Sequence, residues 1–283
     1  MDSSKILIIG ANGQLGKELQ GHYSGAQALD SEELDITNTE AVKSFDWSTV
    51  EIIINAAAYT NVDGAETSEG RKAAWAVNAT GVANLAKVAT EHNLTLIHIS
   101  SDYVFDGLTK EHTEAETLSP LSVYGSSKAG GDMAASTTSK HYILRTSWVI
   151  GDGKNFVRTM LGLGEKGIAP TVVADQIGRL TFTTELVRGI DHLLQHKADY
   201  GVYNLSNGGE SASWADITRA IFKCAGYDLV VGETTAEEYF AGKEGIAPRP
   251  LQSTLDLSKI MATGFKPEDW RDDLAEYVKK EQA

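Results

Sequence analysis

The chain is short of the residues that mark several functional classes. It has one cysteine in 283 residues, Cys224, so no disulfide forms within the chain; its place in the helical-looking stretch 217–225 predicts a small buried side chain rather than a nucleophile. Of only five prolines, Pro248, Pro250 and Pro267 follow residue 245, so residues 242–253 read as loop. Basic residues are scarce: 25 Lys and Arg stand against 39 Asp and Glu, a net charge of −14. That balance argues against nucleic-acid and anionic-membrane partners, which select basic surfaces, so an anionic ligand must be held by locally placed donors. No apolar run approaches transmembrane length, and Met1-Asp2-Ser3-Ser4 leads into an apolar strand without a basic leader. The expectation is a soluble, cytoplasmic protein.

What is present is an alternation. Strand-like runs at 5–9, 26–30, 51–57, 94–101 and 141–150 are separated by helical patterns, among them a helix opening at Gly13, one over 68–92 and one carrying Tyr124 and Lys128. Such βαβ alternation predicts an α/β fold: a Rossmann-like, doubly wound parallel sheet covered on both faces. After residue 150 the pattern loosens into helix 155–166, strand 171–174, helix 183–196, strand 201–207 and helix 213–225. This predicts a dinucleotide-binding unit over 1–150 and a smaller mixed α/β substrate lobe over 151–283, with chain crossovers between them allowed.

Gly10-Ala11-Asn12-Gly13-Gln14-Leu15-Gly16 stands after the first strand and before the first helix, where glycines have a physical task. Gly10 permits a tight turn, Gly13 lets backbone N–H groups approach a pyrophosphate, and Gly16 allows helix to pack on strand. The spacing is GxxGxxG, one residue away from the strict dinucleotide fingerprint. Asp30 closes the second strand, where a carboxylate accepts from a ribose and repels a 2′-phosphate. This favours NADH, with NADPH left open because Ser31 lies beside it. Asp35 and Ile36 follow an expected short third strand, and Asp35 either meets an adenine or starts the next helix. Ala56, Ala57 and Ala58 end the next strand with residues small enough for a cofactor to lie against.

Tyr124 and Lys128 are one helical turn apart, so both face one side of their helix, and Ser101 ends a strand at the sheet edge where open α/β sheets bind ligands. Carbonyl reduction needs a proton donor and a group that polarises the oxygen. A tyrosine whose pKa is lowered by an ammonium, together with a hydroxyl, meets that need. The expectation is proton transfer beside a nicotinamide, with Ser101, Tyr124 and Lys128 catalytic.

With these residues the chain resembles the extended short-chain dehydrogenase/reductases, and within them the dTDP-4-dehydrorhamnose reductase family. The resemblance runs through residues 55–63, 100–107, 124–128, 145–149, 155–160, 175–181 and 249–254. It implies reduction of the 4-keto group of a dTDP-linked deoxysugar by NADPH or NADH, with Tyr124 as proton donor and Lys128 as its activator. Ser101 stands where the family usually has threonine. The resemblance adds Tyr59, Thr60 and Asn78 to the cofactor contacts and assigns Ser101, Asp102, Tyr103, Trp148, Asn155 and Arg249 to the sugar nucleotide, Arg249 as a phosphate clamp. Arg179 is a weaker candidate. Leu180 replaces the family's proline in the 175–181 motif, which leaves that loop's path open.

Two other readings remain at this level. A nucleotide-sugar 4,6-dehydratase places an Asp-Glu pair after the strand-end hydroxyl, whereas this chain has Asp102-Tyr103; a 4-epimerase keeps Tyr and Lys but shows no net oxidation of added cofactor. A non-catalytic NAD(P)-binding regulatory subunit shares the architecture but has no need of the Ser101, Tyr124 and Lys128 relay. His192 and His196, four apart, lack a third metal ligand nearby. Some relatives form magnesium-linked dimers, a cofactor no local motif here calls for, so monomer and homodimer both remain open.

Overall fold

The computed structural model describes residues 2–283. Its centre is a six-stranded sheet containing β1 (Ile6–Ile9), β2 (Gln27–Leu29), β3 (Ile52–Asn55), β4 (Thr95–Ser101), β5 (His141–Thr146) and the strand Gly201–Asn204. The order is Gly201–Asn204, β5, β4, β3, β1, β2, and every pairing is parallel. The period of two along a strand explains the two cores. Ile6 and Ile8 of β1 pack on one face with Leu15 and Leu19, while Leu7 and Ile9 pack on the other with Val42 and Leu85. The first face is covered by α1 (Gln14–His22), the second by α2 (Thr39–Ser44) and by the helices that follow β3.

The expected helix over 68–92 is one column in three parts: α3 (Ser68–Trp75), a π-helical segment (Ala76–Gly81) and α4 (Val82–Glu91). The wide turns hold Asn78, whose side chain is claimed from outside the helix. The short third strand expected just before Asp35 does not form among the described residues: Asp35 accepts from Thr37 N at 2.9 Å and Thr37 Oγ1 at 2.8 Å, closing a local turn in place of extended pairing. Ser122 caps α5 (Val123–Ala135), which carries Tyr124 and Lys128.

After β5 the chain forms α6 (Phe156–Glu165), α7 (Thr183–Gln195), α8 (Trp214–Ala225), the C-terminal helix Trp270–Glu281 and two-stranded ladders. The third core lies among α6, α8 and the last helix, whereas α7 packs with α1 and feeds the strand Gly201–Asn204 back into the main sheet. The 175–181 loop has a defined path. Ile177–Gly178 pairs antiparallel with Ala212–Ser213, Thr181–Phe182 pairs with Val149–Ile150, and Leu180 is fully buried where the family has proline. Cys224 is exposed, contrary to expectation, because the register of α8 turns Ile217, Ile221 and Phe222 inward instead. No helix among the described residues is long and apolar enough to cross a membrane.

Candidate active site

The strand order reverses between β1 and β3, and a cleft of about 890 Å³ opens at the carboxyl ends of β1, β3 and β4. Gly10, Asn12, Gly13, Gln14 and Leu15 line one end. Gly10 has φ +85°, and a Cβ there would lie 2.6 Å from Ala57 N, so the turn demands glycine. A Cβ on Gly16 would collide with Gly10 O; Gly16 therefore sits behind the turn, outside the lining, and packs helix on strand. The α1 N-terminus has no side-chain cap, which leaves its first N–H groups and the positive end of the helix dipole for a ligand anion.

Asp30 lies in the cleft, accepting from Asn12 N at 2.9 Å and Ser31 N at 2.7 Å. Those two N–H groups, that of Ser31 foremost, hold its carboxyl below the ordinary range. Ala56, Ala57, Ala58, Tyr59 and Thr60 form the wall between β3 and α3. Gln14 also faces the cleft, and its Oε1 accepts from Gly151 N at 2.8 Å, joining α1 to the segment after β5.

Asp35, Ile36, Asn78 and Asn155 also lie outside the cleft lining. Asp35 is occupied by its own turn, and Ile36 is buried in the core against the helix side of the sheet, since an isoleucine there gains more from burial than from a ligand face. Asn78 is wholly buried; its Oδ1 accepts from Tyr59 N at 2.9 Å, and its Nδ2 donates to Tyr59 O at 3.1 Å and Ser127 Oγ at 2.9 Å. It shapes the cleft wall without forming it. Asn155 caps α6, accepting from Arg158 N at 3.0 Å and donating to Gly151 O and the Tyr277 hydroxyl, so capping chemistry consumes its amide.

Ser101, Asp102, Tyr103, Tyr124, Lys128 and Trp148 all line the other end of the cleft. Ser101 Oγ accepts from Tyr103 N at 3.1 Å and donates to Asp102 Oδ1 at 3.0 Å. Burial pushes the Asp102 carboxyl up to about 6. Burial also pushes the Tyr124 phenol up to about 12, while the Ser101 hydroxyl pulls the other way. In the protein alone desolvation outweighs any lowering by a nearby ammonium, and Tyr124 carries its proton at neutral pH, the state a donor needs. Lys128 donates to Ile99 O at 2.6 Å, and burial lowers its ammonium to about 8, opposed by Asp132. Beneath it, Asp132 accepts from Arg145 Nε at 3.0 Å.

Arg249 is outside the main cleft. Its guanidinium donates to both Asp63 oxygens at 2.8 and 2.9 Å and stands 4.8 Å over the Phe240 ring, beside a smaller cavity that also includes Gln176 and Lys243. Arg179 is buried and donates to Leu255 O at 2.9 Å, a structural contact. Sequence reasoning missed Trp214, stacked on Trp148, and Asp63, the partner of Arg249; only the fold brings these pairs together. His192 and His196 stack on each other, with His192 Nε2 at 2.9 Å from Thr263 Oγ1. Among the described residues no group of three or more His, Cys, Asp or Glu is placed to hold a metal ion.

Residues 4–283 match the family model described as the RmlD substrate binding domain. A dTDP-4-dehydrorhamnose reductase of Aggregatibacter actinomycetemcomitans is 41% identical over 95% of this chain and 96% of its own. A crystal structure of a dTDP-4-dehydrorhamnose reductase of Clostridium acetobutylicum superposes with a TM-score of 0.90 at 38% identity, covering 98% of this chain and 99% of that one. The dTDP-4-dehydrorhamnose reductase of Bacillus anthracis, solved in complex with NADP, gives 0.88 at 35% identity, covering 98% of both chains.

Proposed function

This chain belongs to the RmlD substrate binding domain family, and we propose that it is an NAD(P)H-dependent oxidoreductase that reduces the 4-keto group of dTDP-4-dehydro-β-L-rhamnose to give dTDP-β-L-rhamnose. The observation that carries this reading is one continuous cleft with an uncapped helix N-terminus and a close-packed glycine turn at one end and Ser101, Tyr124 and Lys128 at the other. The donor set fits a dinucleotide: free backbone N–H groups for a pyrophosphate, Asp30 for a ribose, and a wall of small residues, Ala56 to Ala58. Tyr59 and Thr60 continue that wall. The reduced nicotinamide supplies the hydride.

The protein's own residues do the rest. Ser101 turns its single hydroxyl proton from Asp102 to the substrate oxygen. As the carbonyl π bond opens and O4 gains charge, the Tyr124 hydroxyl gives O4 its proton and becomes a phenolate. Lys128, charged below about pH 8, stabilises that phenolate and would hold the ribose of the cofactor. Asp102 and Tyr103 hold the sugar, and Trp148 packs against it. Residues 1–150 with the returning segment 183–204 form the cofactor body, and the remaining C-terminal residues receive the nucleotide diphosphate, with Arg249 exchanging Asp63 for a phosphate.

The test is a purified-protein assay at the nicotinamide absorbance with dTDP-4-dehydrorhamnose and either NADPH or NADH. Substrate-dependent, stoichiometric loss of reduced cofactor is expected. Turnover of sugar without net oxidation would make the protein an epimerase, and no turnover would leave a binding role.

A further inference from the structure

Trp148 has a backbone φ of +48°, a left-handed conformation that a bulky non-glycine residue adopts only when its surroundings enforce it. It occurs at the cleft wall, on a partly buried ring that packs on the edge of the third core and leaves its other side to the cleft. Two neighbours hold its ring. Trp214 stacks on the indole at 3.8 Å between ring centroids with 19° between planes, and Phe156 backs Trp214 at 4.4 Å. Gly178 lies against the benzo ring: a Cβ there would stand 3.0 Å from Trp148 Cε2 and Cζ2.

These two neighbours form one hydrogen-bonded unit. Gly178 is paired with Ala212, and Ile177 with Ser213, the residue just before Trp214. Ser213 and Asp216 form a capping box, Ser213 Oγ accepting from Asp216 N at 3.1 Å, which fixes where α8 begins and so where the Trp214 ring stands. Trp148 O accepts from Thr181 N at 3.1 Å, anchoring the backbone of the strained residue to the same loop. A ladder, a helix cap and a ring stack thus converge on one side chain that faces the cleft.

We propose that Trp214 and Gly178 are positioning residues for the sugar, holding the Trp148 indole as a rigid wall of the cleft in a conformation that Trp148 would not otherwise keep. The ligand class such a wall suits is a pyranose presenting an apolar C–H face or a methyl group, since an aromatic ring replaces the water lost from apolar surface without demanding a hydrogen bond. Preorganisation places the benefit in sugar binding, not in the cofactor half of the cleft.

This inference rests on the reductase reading of the cleft, and its test separates the two. Trp214→Leu, Trp214→Phe and Gly178→Ala are compared with wild type by KM for dTDP-4-dehydrorhamnose, KM for NADPH, and the exciton couplet that two stacked indoles give in far-ultraviolet circular dichroism. Trp214→Leu is expected to lose the couplet and raise the sugar KM roughly 2- to 10-fold, the size expected for an aromatic pair, with the NADPH KM unchanged. Gly178→Ala, which keeps both indoles, is expected to alter the couplet and raise the sugar KM in the same sense. Trp214→Phe should restore most of the sugar KM without the couplet. A lost couplet with unchanged sugar KM, or equal losses for sugar and cofactor, would overturn the positioning role while leaving the reductase reading intact. An inactive wild type would overturn both.

Discussion

Lys128 and Asp30 are the two residues whose ionisation connects geometry to rate. The ammonium of Lys128 is buried, which favours its neutral form, and Asp132 only partly opposes this, leaving it near 8. The proposed mechanism uses the charged form, so kcat/KM for reduction should fall as pH rises through about 8 and be restored by lowering the pH. A rate–pH profile checks this, and a plateau extending two pH units further would place the essential ammonium elsewhere. Asp30 presents a carboxylate held in its ionised form by the N–H groups of Ser31 and Asn12. Removing that charge with Asp30→Asn, which keeps one of the two acceptors, should raise the ratio of kcat/KM for NADPH to that for NADH by roughly tenfold, the effect of about 1.4 kcal/mol of relieved repulsion. Side-by-side kinetics with the two cofactors decide it; an unchanged ratio would mean that Asp30 does not meet the adenosine ribose.

At the scale of elements, the π-helical segment between α3 and α4 exists where Asn78 satisfies both backbone groups of Tyr59 and the Ser127 hydroxyl. Asn78→Ala removes the partner of both Tyr59 backbone groups, a cost of about 1–3 kcal/mol for a single such group once buried, while Ser127 Oγ keeps its bond to Tyr124 O at 2.7 Å. Thermal unfolding should show a lower Tm, and fluorescence titration weaker NADPH binding, because Tyr59 lines the cleft. A fall in Tm with unchanged cofactor affinity would separate the segment from the site. This element also marks the limit of what sequence reading reaches. The alternation of apolar runs made the parallel sheet legible, and the glycine turn and the Tyr124–Lys128 spacing located the cleft, because these depend on local periodicity. Asn78, which the resemblance named as a cofactor contact, is taken up by Tyr59 and Ser127, 19 and 49 positions away, whereas Asp35 and Asn155 accept from nearby Thr37 and Arg158 in a local turn and a helix cap. The Trp148–Trp214 stack and the Asp63–Arg249 pair join residues 66 and 186 positions apart, beyond any local signal.

Taken as a whole, the molecule carries a net charge of −14 and several buried carboxyls whose pKa values are raised, among them Asp102 to about 6 and Glu185 to about 7, burial being the chief cause in each. Both groups bind protons in the folded state at pH values where the unfolded chain has lost them. Their stabilising effect is therefore greatest at low pH and is lost as pH rises through about 6 to 7. Relief of acidic self-repulsion acts in the same direction. Glu185→Gln should consequently gain Tm relative to wild type on going from pH 6 to pH 8; a difference between variant and wild type that is the same at both pH values would contradict this.

The account as a whole rests on hydride reaching C4 of the sugar while Tyr124 protonates O4, and transfer from nicotinamide cofactor carrying deuterium at its reactive carbon tests that most directly. Wild-type protein should place one deuterium on C4 of dTDP-rhamnose, detected by mass spectrometry and NMR, and Tyr124→Phe should bind cofactor normally yet form this product about 10²- to 10⁴-fold more slowly, the range for losing a general acid. Product without deuterium at C4, or a Tyr124→Phe variant that labels the sugar at the wild-type rate, would contradict it.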